Sequence, residues 1–100
     1  MRFVINGLKY DTENMEKVAN VKKWYESRSQ LIKAIYNNAK VGTIHDCELW
    51  KSKKGNWILT HTEDYATKVG EAITEEEAKS LLMRYAPDDY EKRFEEIPEA

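Results

Sequence analysis

One hundred residues suffice for one domain whose modest core needs neither a disulfide nor a metal. With 41% hydrophobic and 34% charged residues, the composition excludes a disordered chain, and no apolar run approaches the ~20 residues of a membrane span. A net charge of −2 and a pI near 5.7 exclude a protein governed by phosphate attraction overall. The charge is unevenly laid out, however. Residues 17–54 hold nine basic and three acidic side chains, for +6, and residues 55–100 hold five basic and twelve acidic, for −7. The two halves either neutralise each other on folding or present interaction surfaces. The opening "MRFVINGLKY" lacks the pattern of an export signal, and a lone Cys47 allows no internal disulfide, so the expected setting is a reducing cytoplasm.

The first element is a tight hairpin, "FVINGLKY". Asn6-Gly7 is a strong type I′ turn signal and pairs Ile5 with Leu8 and Phe3 with Tyr10, four apolar side chains on one face. Asp11 or Thr12 then caps a helix with Glu13 and Glu16 in its first turn. Helical spacing of Val18, Val21, Trp24 and Tyr25 extends the helical reading to about Asn38. Residues 12–41 read as one helix or as two, the second starting at Ser27 or Ser29 and using Leu31, Ile32, Ile35, Tyr36 and Ala39.

Two strands come next, "TIHDCELWK" and "NWILTHT", joined by Lys53-Lys54-Gly55 with the glycine left-handed. This register sets Ser52 against Asn56, Lys51 against Trp57, Leu49 against Leu59 and Cys47 against His61. Ile44, Trp50 and Ile58 fall on the other face among polar side chains. "ITEEEA" is a capping box with Thr74 as N-cap and Glu77 three residues on. The helix buries Ala78, Leu81, Leu82 and Tyr85 and ends before Pro87. Asp88 caps a last short helix that turns Tyr90, Phe94 and Ile97 inward. The expected core is Phe3, Ile5, Val21, Leu31, Ile35, Cys47, Leu49, Trp57, Leu59, Leu81, Leu82, Tyr85 and Phe94. The fold class is α+β, one domain over 1–100, with two β-hairpins forming a small antiparallel sheet packed against three to four helices.

The residues that carry chemistry are few. Cys47 has His61 across the hairpin and His45 nearby, but Asp46 and Glu48 flank it and disfavour a thiolate. No glycine cluster supplies an oxyanion loop, so no catalytic residue is assigned. Cys47, His45, His61 and Glu63 or Asp64 form a weak zinc set without the paired ligand spacing of structural zinc, and no metal or cofactor is assigned. The acids of "EEE" and "DDYE" are explained by helix starts. What remains is binding. The acidic half, through Glu75, Glu76, Asp88, Asp89, Glu91 and Glu95, suits a protein partner with a basic surface. The alternative is nucleic acid, held by the 51–54 hairpin tip and the basic 17–40 region: Lys51, Lys53 and Lys54 with Trp50, and Lys22 and Lys23.

The blocks "NGLKYDTE", "LWKSKKGNWIL", "TEEEA" and "DDYEKRFEE" resemble, in this order, a family of small proteins of unassigned activity from bacteria, phages and other mobile elements. That family is similar in its N-G-x-x-Y-D-T opening, its L-Y-x-x-x-x-G-x-x-x-L hairpin and its closing helix pair. This chain departs from it at 60–68, where "THTEDYATK" replaces a glycine-rich "HGEGG"-like loop. The resemblance implies a non-enzymatic inhibitor of a host nucleic-acid-binding or defence protein, of the anti-CRISPR kind.

Overall fold

The computed structural model describes residues 1–26, 41–63 and 66–100. Strands β1 (Arg2–Ile5) and β2 (Leu8–Asp11) make the first hairpin in the expected register, Phe3 opposite Tyr10 and Ile5 opposite Leu8. Asn6 and Gly7 have φ of 52° and 76°, the two positive values that a type I′ turn needs. Tyr10 is buried, Phe3 and Ile5 are partly buried, and Leu8 stays half-exposed.

Asp11 does serve as a cap, its Oδ1 accepting from Glu13 N at 3.1 Å, but the capped element is a single 3-10 turn, Thr12–Asn14. The chain then enters strand β3 (Glu16–Glu26), not a helix. The helical spacing had a different cause. The β3 register slips between Lys17 and Ala19, which pair with the adjacent residues Trp50 and Leu49. Val18 is thus an extra residue, and the bulge turns Val18 and Val21, three apart, into the same core. Trp24 and Tyr25, both assigned to one helical stripe, point to opposite faces instead. The second helix expected beyond Ser27, with Leu31 and Ile35, lies outside the described residues.

Strands β4 (Gly42–Lys51), β5 (Trp57–Glu63) and β6 (Thr67–Ile73) complete an antiparallel sheet in the order β3-β4-β5-β6. The β4–β5 register is the expected one, from Cys47 opposite His61 to Lys51 opposite Trp57. At its tip Gly55 has φ +89°, and its N–H donates to Ser52 O at 3.0 Å while Ser52 N donates to Asn56 O at 2.8 Å. Sequence patterning missed β6 altogether. The two hairpins also do not share a sheet: β1–β2 is a separate two-stranded ribbon.

Two α-helices, not three to four, occur among the described residues: α1 (Glu75–Tyr85) and α2 (Pro87–Arg93). Thr74 Oγ1 accepts from Glu77 N at 3.1 Å, as the capping box requires. Asp88 is not the cap of α2. Ala86 takes that position without a side-chain bond, and Pro87 fills the first turn, where a missing N–H costs nothing.

Both helices cover one face of the sheet. Val18, Val21, Cys47, Leu49, Trp57 and Leu59 from the strands pack there against Ala78, Leu82 and Tyr90. Leu81 and Phe94 adjoin this core, whereas Tyr85, expected inside, is exposed. Tyr90 takes its place because the break at Ala86-Pro87 resets the apolar stripe. On the opposite face the β1–β2 ribbon covers β6, the Phe3 ring resting on Gly70. Ile58 lies on that face by register and is fully buried, against the polar surface expected there.

Candidate functional site

A polar cluster spans all four strands of the sheet. Tyr25 of β3 stacks on His61 of β5, centroids 4.3 Å apart at 24°, and His45 of β4 meets the same tyrosine edge-on at 5.7 Å. The Tyr25 hydroxyl donates to Glu71 Oε1 of β6 at 3.0 Å, and Lys23 Nζ reaches that oxygen at 2.8 Å. His61 Nε2 faces Glu63 Oε1 at 3.1 Å, so this nitrogen carries the proton that the carboxylate accepts. The other ring nitrogen, Nδ1, is buried with no hydrogen-bond partner among the described residues.

This cluster lacks an activated nucleophile. Cys47 is 2% exposed, its thiol bonds to His45 O at 3.5 Å, and burial pushes its pKa up against the smaller opposing effects of Tyr25 and Lys23. Burial, reinforced by the Glu71 charge, likewise holds the Tyr25 phenol protonated well above the ordinary range. Among the described residues no three His, Cys, Asp or Glu side chains are placed to hold a metal ion. The arrangement binds strands to one another. Sequence patterning paired Cys47 with His61 but did not bring Tyr25, Lys23 and Glu71 together, since these meet only across β3 and β6.

Burial of the thiol has a consequence in solution. The folded chain holds the Cys47 proton more tightly than the unfolded chain, whose thiol titrates near ~8.5. The contribution of this thiol to stability is therefore fully present below that pH and is lost as pH rises through the higher folded value. At pH 8, native protein is expected to resist a thiol-specific chromophoric disulfide and to react fully once unfolded in guanidinium. Rapid labelling of the native state, with the fold retained, would contradict a buried thiol.

The residues assigned to nucleic acid do not form one surface. Lys22 pairs with Asp46 at 3.2 Å and Lys23 with Glu71. Lys51 lies over the Trp57 ring, Nζ to centroid 5.3 Å. The indole N–H of Trp50 donates to Thr60 Oγ1 at 3.0 Å, and its ring is partly buried rather than offered for stacking. Only Lys53 and Lys54 remain exposed at the tip without an ion pair among the described residues.

The acids assigned to a protein partner do gather on one element pair. Glu75 and Glu76 lie exposed in the first turn of α1, and Asp88 is exposed in the first turn of α2, with Asp89 half-buried beside it. Glu91 accepts from Ile97 N at 3.0 Å, and Glu95 is exposed just beyond α2. Lys79, one turn after Glu75, sits over the Phe94 ring at 4.8 Å and brings the end of α2 back beside the start of α1. None of these acids enters an ion pair among the described residues.

No described helix is long and apolar enough to cross a membrane. Comparison with protein-family models, with curated proteins and with solved structures found no match.

Proposed function

We propose that this chain is a non-enzymatic binding protein whose α1–α2 pair engages a basic surface on a protein partner. One observation carries the reading: among the described residues most charges of the four-stranded sheet are paired, whereas the acids of the helices form no ion pair. On the strands Lys17, Lys22, Lys23 and Lys68 each pair with a carboxylate. Residues 75–99 hold nine acidic and four basic side chains, leaving −5. The ion pair joining helix to sheet, Arg93 with Glu16, spends a helix cation rather than a helix anion. Neutralisation on folding is the plainer expectation, but among the described residues no cation pairs with these acids. Such a field speeds and orients encounter with a basic surface. The narrower form, inhibition of a host nucleic-acid-binding or defence protein of the anti-CRISPR kind, draws on the resemblance. A nucleic-acid-binding partner also presents the positive surface this face complements.

The test compares two charge-altered chains as baits in nuclease-treated lysate of the native host. Glu75→Gln/Glu76→Gln/Asp88→Asn/Glu95→Gln is expected to lose its specific partner about tenfold, and Lys53→Glu/Lys54→Glu to keep it. Circular dichroism of both confirms the fold, since uncharging the first turn of α1 costs about 0.3–1 kcal/mol per acid at most. Retention by the first variant together with loss by the second would overturn the reading.

A further inference from the structure

We infer that the concavity between the N-terminal hairpin and the tip of the β4–β5 hairpin binds a small organic phosphate. The space measures about 550 Å³, within the range of small-molecule sites, and its walls come from three separate chain segments. Arg2 stands on β1, Lys9 on β2, and Lys53 and Lys54 on the β4–β5 loop, four cations around one hollow. The single carboxylate lining it, Asp11, is already committed: Oδ2 lies 3.5 Å from Arg2 Nε and Oδ1 accepts from Glu13 N.

The distribution of unmatched cations sets this hollow apart. Most lysines on the sheet end on a carboxylate, and Lys51 and Lys79 end over aromatic rings. Lys9, Lys53 and Lys54 form neither kind of contact among the described residues, although they border one concavity. A phosphate dianion in such a hollow accepts charge-assisted hydrogen bonds from cations that have no carboxylate of their own. Arg2, oriented by Asp11, keeps donors free for it. Half-exposed Leu8 and partly buried Met15 line the same space and supply apolar contact for the organic part of the ligand. A hollow of this size with apolar lining fits a compact phosphate ester better than a polyanion tracked along a groove. This site lies on the N-terminal ribbon and hairpin tip, and it stands or falls independently of the acidic helical face.

The experiment is an NMR titration of the ¹⁵N-labelled full chain at low ionic strength with adenosine 5′-monophosphate, with adenosine, and with a single-stranded oligothymidylate. Saturable shifts at Lys9 and Ser52 to Asn56 are expected with the monophosphate and not with adenosine. Lys53→Glu/Lys54→Glu, and independently Lys9→Gln, are expected to weaken the monophosphate about tenfold, the loss of one charge-assisted contact or more. The inference is overturned by the absence of saturable shifts, by equal affinity in both variants, or by adenosine binding as well as its phosphate. Oligothymidylate binding that exceeds the monophosphate and grows with length overturns it in favour of a nucleic-acid surface.

Discussion

Replacing Leu59 by alanine is expected to cost about 2–5 kcal/mol of unfolding free energy, a large fraction of the ~5–15 kcal/mol that holds a domain folded. Leu59 has no solvent exposure and stands on β5, an inner strand with neighbours on both sides. Its face carries Leu49 across the strand pair and the helix residues Ala78 and Leu82 in the same core. Removing its branched end leaves a void that collapse cannot fill, because backbone on both flanks is fixed by ladder hydrogen bonds. Guanidinium unfolding monitored by circular dichroism gives the value. Ile58→Ala, one residue away on the opposite face, is expected to fall in the same range, because Ile58 is likewise without solvent exposure. A cost below about 1 kcal/mol for Ile58→Ala, the value of an ordinary surface change, would show that face to be open.

Substituting Gly70 by alanine is expected to cost about 1–3 kcal/mol, the range of an overpacked contact. A Cβ at this position would stand 2.7 Å from Phe3 Cδ1 and 2.8 Å from Cγ. Those atoms lie at the base of the ring, so the side chain cannot swing clear without moving β1. Gly70 is a place where the N-terminal ribbon touches the main sheet, and the ribbon has to lift there. The partner change Phe3→Ala removes the clash, so the double-mutant cycle is expected to show coupling of about 0.5–3 kcal/mol. Additive effects would mean that the ring does not rest on this glycine. The lifted ribbon carries Arg2 and Lys9, so Gly70→Ala is also expected to weaken monophosphate binding at the cleft.

The parts legible in the sequence are those set by neighbours along the chain. Asn6-Gly7 and Lys53-Lys54-Gly55 name their turns through the φ values those residues tolerate, and each turn then sets its hairpin register. Thr74 and Glu77 name the start of α1, and Pro87 its end. The acids of the helical face could be listed from sequence, and so could Lys53 and Lys54. Their being unmatched could not, since an ion pair depends on which strand lies alongside.

The misread elements share one physical cause. A bulge adds a residue to a period of two, and the resulting spacing of three at Val18 and Val21 looks the same as one side of a helix. β6 carries small residues, Gly70 and Ala72, on the face where the ribbon approaches, so it lacks the apolar alternation that marks a half-buried strand. By itself the sequence determined the two tight hairpins, the capped helix and the uneven layout of charge, because each arises from local backbone sterics or from composition. Only the tertiary structure decided that residues 16–26 form a strand, that Tyr25, His45, His61 and Glu71 meet, and that Arg2 and Lys9 face Lys53 and Lys54. These are contacts between distant segments, and burial against a partner strand or helix outweighs the few tenths of a kcal/mol per residue by which local propensity favours one conformation.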